Sequence, residues 1–447
     1  MKPIVFTLIL GCFVAHATKT KAQQMNLNQC IEHALKNNLT HANRHIESEI
    51  YGEIYRQSKR NLLPDIIAGS SANKRYGKSI DPTTNTFANR NFFSMNFYID
   101  SQIDIFNGFT KINRIKFQKL RYLTGCEDVK QGEMEIIFAV MQAYYEVLYF
   151  KNLKDIAKSQ LEISELNLNK TRKSIELGLR AESDLLEMQA HQAMESHNLI
   201  IAENQYLQAE TKLKKWMNYP LNEDIRIKNE ENTIPENIVY NLEEIYQIAL
   251  QHMPSVRRAD LETDMTRKNL AVIRGELAPQ LSLGAGLSTN YADSHKEQSG
   301  NSSNIRTISF KDQWSQNMAK SVYLSLRIPI FNKWAVQSKI KKAKLEHAAS
   351  LNKQKEERQN LYQAIAEDIR QINAFRKEME LLCTKKKALR EAYIISEKKM
   401  EQGLINIIEF HTAKNLLAQA EADFMRVHFQ LKVKEQTVRF YSRKRLD

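Results

Sequence analysis

Between Ser94 and Phe106 the chain alternates: Met95, Phe97, Ile99, Ile103 and Ile105 fall on one face, and Asn96, Tyr98, Asp100, Gln102 and Asp104 on the other. A two-residue period means a strand with one apolar and one wet face. Leu281, Leu283, Ala285, Leu287 and Thr289 alternate in the same way with Ser282, Gly284, Gly286, Ser288 and Asn290. So do Val322, Leu324, Leu326, Ile328 and Ile330 with Ser321, Tyr323, Ser325 and Arg327. A more polar run, Ile67 to Tyr76, completes a set of four, which predicts strands at about 65–79, 92–106, 280–291 and 318–331. Each is long enough to cross a bilayer when tilted. The intervening stretches, Ser79–Asn91 and Ala292–Asn317, are rich in Asn, Ser, Thr and Asp and read as exposed loops.

A different period governs the rest. Asn107 to Gly178 and Asn332 to Gly403 contain no proline and predict helices on the order of 100 Å long at ~1.5 Å per residue. Returning helices follow, from about Asp184 to Tyr219 and from about Glu409 to Tyr441. Leu185, Leu199, Tyr206 and Leu213 recur at multiples of seven, shadowed by Met188, Ala202, Ala209 and Trp216, which is a heptad seam. Leu417, Phe424, Leu431 and Val438 repeat that register in the second half.

These elements occur twice. Leu27 to Pro64 and Leu242 to Pro279 share their spacing at an offset of 215, whereas Phe106/Phe331 and Gly178/Gly403 are offset by 225. The second copy therefore holds about ten extra residues between its two strands, and the chain is an internal duplication. The organisation read from this is a first repeat at 23–219, a connector at 220–241 broken by Pro220, Pro235 and Glu230-Glu231, and a second repeat at 242–447.

Scarce glycine and proline (13 and 8 residues of 447) favour long helices over several linked globular domains. Lys2, the apolar run Ile4–Val14 and the small-residue exits Ala15-His16-Ala17 and Thr20-Lys21-Ala22 predict an export signal over 1–22, cleaved by Ala22. Lipidation at Cys12 is the competing reading. No later apolar run is long enough for a membrane-spanning helix, so a mature chain that enters a membrane must do so as a closed β-barrel. Four strands cannot close one, since a barrel needs about eight or more. The strand count therefore demands an oligomer.

Charge and chemistry narrow the function by exclusion. The formal net charge of +13 shrinks once Lys2, Lys19 and Lys21 leave with the signal, and the remaining excess collects at Lys341-Lys342, Lys385–Lys387 and Arg443–Arg445. Solvated helix faces account for such clusters, with attraction to anionic lipid head groups or to an acidic partner the second reading. An exported chain without an aromatic-basic motif is no nucleic-acid binder. Cleavage would leave Cys30, Cys126 and Cys383, an odd number without a CxxC, so neither a disulfide framework nor a zinc site is expected. His191 and His197 lie on one helix with no HExxH arrangement, and no Gly-x-Ser-x-Gly or phosphate-cradling loop occurs. No catalytic residue, metal site or cofactor is expected.

The duplicated order, the alternating strands and the two turns, Gly178-Leu179-Arg180-Ala181-Glu182-Ser183-Asp184-Leu185-Leu186 and Gly403-Leu404-Ile405-Asn406-Ile407-Ile408-Glu409-Phe410, resemble the TolC-like outer membrane efflux protein family over essentially the whole mature chain. The resemblance implies a mainly α protein with a membrane β-barrel. Its homotrimer would pool about twelve strands into one outer-membrane barrel, continuous with a long periplasmic α-helical barrel, with the connector in an equatorial belt. It implies a gated, non-enzymatic exit duct in outer-membrane lipid, coupled through a periplasmic membrane-fusion adaptor to an inner-membrane efflux transporter. Gly178, Leu179, Arg180, Ser183, Asp184, Leu185, Gly403, Leu404 and Phe410 would be adaptor-contact positions, with Ser183 or Asp184 capping the returning helix. Asp184, Glu187 and Glu409 would ring the periplasmic entrance, repeated around the three-fold axis, and like charges at a constriction favour cations and repel one another. His411 and Thr412 stand near where a second carboxylate is expected after Glu409. A duct for type I protein secretion, or a periplasmic coiled-coil adaptor or structural protein that never enters a membrane, are the alternatives. An adaptor normally has one hairpin flanked by small β-domains, not two hairpins each paired with amphipathic strands.

Overall fold

The computed structural model describes residues 24–80, 85–89, 91–228, 238–298 and 305–442. The expected leader with Ala22 and Cys12, the Glu230-Glu231 and Pro235 part of the connector, and the Arg443–Arg445 cluster lie outside the described residues. The first repeat runs β1 (Gln24–Met25), α1 (Leu27–Asn37), α2 (Leu39–Arg60), β2 (Asp65–Arg75), β3 (Lys78–Ile80), β4 (Phe87–Asn89), β5 (Phe92–Asn107), α3 (Thr110–Glu176) and α4 (Glu182–Met217). Then come β6 (Arg226–Ile227), α5 (Leu242–His252), α6 (Pro254–Gly275), β7 (Gln280–Ala292), β8 (Lys296–Gln298), β9 (Ile305–Thr307), α7 (Phe310–Gln316), β10 (Ala319–Arg327), α8 (Ala335–Glu401) and α9 (Ile407–Ser442). Equivalent helices match in length: 11 residues for α1 and α5, 22 for α2 and α6, 67 for α3 and α8, and 36 for α4 and α9. The duplication is thus one of structure as well as of spacing.

The chain divides into two compact units. One comprises Asn43–Gln131 and Tyr246–Gln363 and contains an antiparallel sheet of order β10-β7-β5-β2. The register pairs Ile99 with Leu287, Ile103 with Leu283, and Leu283 with Leu324, so one face carries the apolar residues of all three strands. The edge strand β10 is exposed along its whole length, and Val322 on its apolar face is 77% exposed. Strict alternation fails at one place. A β-bulge between Asp104 and Phe106 leaves Ile105 without a partner and returns Phe106 to the face of Leu281. β10 ends at Arg327, short of the expected end at about 331, because Pro329 has no N–H to donate to a ladder. The loop expected at Ala292–Asn317 holds the short helix α7, which its polar composition did not announce.

Each half also places a tyrosine across a glycine. Tyr98 is the register partner of Gly69, and Tyr323 that of Gly284. A Cβ added at Gly69 would lie 2.4 Å from Tyr98 Cζ, and one at Gly284 2.2 Å from Tyr323 Cζ. Only glycine lets the ring lie flat on the wet face of the sheet.

The other unit comprises residues up to Ala42, Gly132–Ile245 and Ala364 onward. Its core packs Cys30 and Ala34 of α1 with Val140, Met141, Tyr144 and Leu148 of α3, Leu213 and Met217 of α4, Ile225 and Ile227 of the connector, and Phe429 of α9. Asn26 and Gln29 form a capping box that starts α1. β1 pairs in parallel with β6, and the Tyr144 hydroxyl donates to Lys228 O at 2.8 Å, which ties the described start of the connector to α3. Cys30 is buried and Cys126 and Cys383 are half-buried, all three as free thiols. Burial pushes the Cys30 thiol up to about 12. Among the described residues no helix is long and apolar enough to cross a membrane.

Candidate functional site

The two hairpin turns lie in this second unit and are built alike. α3 and α8 each end on a glycine with positive φ, +72° at Gly178 and +71° at Gly403. Leu179 N–H donates to Ser174 O at 2.8 Å, and Leu404 N–H to Lys399 O at 2.9 Å, the bond that closes a Schellman motif. The second bonds also correspond, from Gly178 N–H to Ile175 O and from Gly403 N–H to Met400 O. Nothing lies within 4 Å of a Cβ built at either glycine, so backbone conformation alone selects the residue. The leucines that follow project into solvent, Leu179 at 74% and Leu404 at 67% exposure.

Entry into the returning helices differs from the expected capping. α4 starts at Glu182 with Ala181 as its N-cap and no side-chain cap bond, so neither Ser183 nor Asp184 caps it. Both sit inside the first turn, where Glu182 and Asp184 favour the positive end of the helix dipole. At α9 the cap is made by Asn406, whose Oδ1 accepts from Glu409 N–H at 2.8 Å. Ser183, Glu187 and Glu409 are exposed, while Arg180, Asp184 and Leu185 are half-buried. Among the described residues none of Asp184, Glu187 and Glu409 has an ion-pair partner.

Phe410 does not belong with the exposed positions. It is 2% exposed, with its ring 5.9 Å from that of Tyr393 and 5.6 Å from that of His411. The reason is helical phase: Phe410 opens the apolar column continued by Leu417, Leu431 and Val438, all buried. Ile408, on the other face, is the exposed apolar residue of that first turn.

Beneath the turns lies a buried polar cluster that the heptad reading missed. Lys414, 1% exposed, donates through Nζ to Gln160 O of α3 at 2.8 Å and to Glu195 Oε1 of α4 at 3.2 Å. Glu195 occupies the column Met188, Glu195, Ala202, Ala209, and Lys414 the column Lys414, Glu421, His428, Glu435, both at intervals of seven. A charge inside a seam was the available signal; which charge answered it was not in the spacing. His411 stacks on His191 with ring centroids 4.0 Å apart, and neither of its ring nitrogens has a hydrogen-bond partner among the described residues. Burial first, then His191 and Lys414, lower the His411 pKa to about 4, and burial lowers that of Lys414. Further along α9, Glu435 accepts from Arg376 at 2.6 Å, and Arg376 also donates to Ile238 O.

This is positioning chemistry. Exposed leucines and unpaired carboxylates crown two hairpin turns, and charged groups are sealed between helices below them.

The family model described as outer membrane efflux protein matches residues 30–218 and 245–442. The probable efflux pump outer membrane protein TtgC of Pseudomonas putida is 20% identical over 407 residues, which cover 88% of this chain and 78% of that protein. Among solved structures, CusC superposes with a TM-score of 0.78 at 14% identity, covering 94% of this chain and 92% of that one. The outer membrane protein VceC of Vibrio cholerae gives a TM-score of 0.74 at 13% identity, covering 92% and 95%. The two matched segments coincide with the two structural repeats, and the chain belongs to the outer membrane efflux protein family.

Proposed function

We propose that three copies of this chain form the outer-membrane exit duct of a tripartite efflux pump, passive and gated, working with a periplasmic adaptor and an inner-membrane transporter. The observation that carries this reading is the four-stranded sheet with two open edges and one apolar face. In lipid every backbone N–H and C=O at an edge must find a partner, so β2 of one copy pairs with β10 of the next until the sheet closes. Two copies would close an eight-stranded barrel filled by side chains, whereas three leave a lumen. The Tyr98 and Tyr323 rings, on the polar face, then line the interior. The family to which the chain belongs carries no bond chemistry, and its membership removes the adaptor reading.

The hairpin turns serve as the periplasmic entrance. Leu179 and Leu404 give an adaptor apolar purchase, and Ile408 takes the contact role that buried Phe410 cannot. Asp184, Glu187 and Glu409, recurring around the axis, hold the mouth under mutual repulsion. Small-molecule cargo fits the relatives, which are described as efflux pump proteins, better than secreted protein does.

The test is planar-bilayer conductance of detergent-purified protein, with the oligomer mass measured on the same preparation. A trimer with a small conductance that grows when Asp184 and Glu409 are replaced by Asn and Gln is expected. A monomer or dimer without conductance would overturn the duct.

A further inference from the structure

α7 lies across the apolar face of the sheet, at the end where β5 begins and β7 finishes. Its Trp314 ring is 4.8 Å from Phe97, and its Phe310 ring is 6.2 Å from Phe97 and 5.3 Å from Tyr291, which in turn meets Phe93 at 6.5 Å. The helix is fastened there by polar bonds. Buried Gln313 donates to Ala292 O and Ile308 O and accepts from Ala292 N–H, and Thr289 Oγ1 donates to Trp314 O at 3.0 Å. Asn317 Nδ2 donates to Asn290 O at 2.8 Å. This helix is locked to the sheet, yet Phe310 and Trp314 remain 46% and 38% exposed. Something apolar outside the chain must meet them.

Position and charge say what that is. Register places Lys74 opposite Phe93 and Lys320 opposite Leu287, so both lysines share the apolar face, and Lys311 is exposed on α7 itself. Beyond the row of Ala68, Ile99, Leu287 and Lys320, the body of that face, Ile66, Ile103, Leu281, Leu283, Ala285, Val322, Leu324 and Leu326, has no charge. At the opposite end stand Phe106 and Phe109, in contact at 5.4 Å. From Phe97 to Phe106 the strand is ten residues, about one tilted crossing of the hydrocarbon layer. The face therefore has an aromatic group at each end, and the two lysines its strands carry, Lys74 and Lys320, both lie toward the α7 end.

We propose that α7, with Phe93, Phe97 and Tyr291, is an interfacial anchor seated at the head-group level of the outer leaflet, and that Lys74, Lys311 and Lys320 bind the phosphates of an anionic lipid there. The inference rests on the outer-membrane channel reading. Aromatic rings suit the boundary because one edge is apolar and the other wet, and lysines extend their ammonium groups from an apolar face toward head groups. A short helix held by Gln313 presents both at fixed height.

Quenching of a single tryptophan tests this. The chain has three, Trp216, Trp314 and Trp334. Full-length protein carrying Trp216→Phe and Trp334→Phe is reconstituted into phosphatidylcholine vesicles brominated either near the head group or near the chain end. Trp314 emission should be quenched roughly twofold or more strongly by the shallow bromines. With brominated phosphatidylglycerol at equal share the quenching should rise, and Lys311→Gln with Lys320→Gln should abolish that preference. A companion variant, Leu324→Trp with all three native tryptophans replaced by Phe, reports the middle of the face. If Leu324→Trp is quenched from the chain end while Trp314 is quenched by neither lipid, the anchor is wrong and the barrel stands. Equal quenching by the two head-group types overturns the anionic-lipid assignment. If neither tryptophan is quenched, the membrane reading falls together with the anchor.

Discussion

Replacing Lys414 by Met would leave the Glu195 carboxylate in the seam between α4 and α9 without its ammonium partner. In the intact protein that ammonium is 3.2 Å from Glu195 Oε1 and 2.8 Å from Gln160 O, with both charged side chains almost fully buried. Breaking one member out of such a pair costs about 3–5 kcal/mol, because the remaining charge stays desolvated. Asn198 Nδ2 still donates to Glu195 Oε2, but at a long 3.4 Å, while Gln160 O loses the side-chain donor that supplements its helical bond. The two effects oppose each other and keep the expectation near the middle of that range, about 4 kcal/mol. Lys414→Met combined with Glu195→Leu removes both charges at similar volume and should be neutral to within about 1 kcal/mol, or stabilising. Amide hydrogen exchange over residues 188–202 and 407–421, read by mass spectrometry on the assembled protein, reports local opening without reversible global unfolding. The single variant should exchange roughly a thousandfold faster in both segments, and the double variant should return close to wild type. Equal exchange in the single and double variants, or less than a tenfold change in the single one, would show that the pair does not hold α4 to α9.

Other outcomes follow from the same geometry. Gly178→Ala and Gly403→Ala should each cost about 1–2 kcal/mol of local stability from the left-handed backbone alone, with Gly→Asn milder, measured by exchange at the turns. The pKa of His411 and of His428 is lowered to about 4, so their neutral forms favour the folded chain. That stability is full above pH 6.5 and lost as pH falls from there through about 4, at roughly 1 kcal/mol per pH unit per histidine near pH 5. His411→Leu should flatten part of this slope in a stability-against-pH series, and an unchanged slope would exclude His411 as its source. Gly69→Ala should impair assembly because Tyr98 occupies the Cβ position, and Gly69→Ala with Tyr98→Ala should recover it, as heat-modifiable migration would show. Glu409→Ala should raise leak through the closed channel in planar bilayers; unchanged conductance would remove Glu409 from the entrance.

Most of the frame could be read from the residues because each element carries its own period. The alternation at Ser94–Phe106, the heptads at Leu185–Leu213 and the glycine ending each long helix are local patterns, and the duplication let each half check the other. Local pattern failed where the deciding partner was distant in the chain. Phe410 had the sequence position of a tip residue, yet its helical phase put it under Tyr393. Ser183 and Asp184 had the composition of caps, but α4 begins one residue before Ser183, so both are already helical. The loop before Met318 reads as polar, and only the docking of Phe310 and Trp314 on Phe97 shows why a helix forms there.

By itself the sequence determined the order of elements, the faces of the strands and the two turns, since all of these follow from backbone periodicity and the satisfaction of backbone polar groups. Only the tertiary structure decided that Lys414 answers Glu195 across 219 residues, that Ile105 is the bulged residue, and that tyrosine lies over glycine in both halves. Such pairings depend on which distant surfaces meet, and a one-dimensional period contains no term for that.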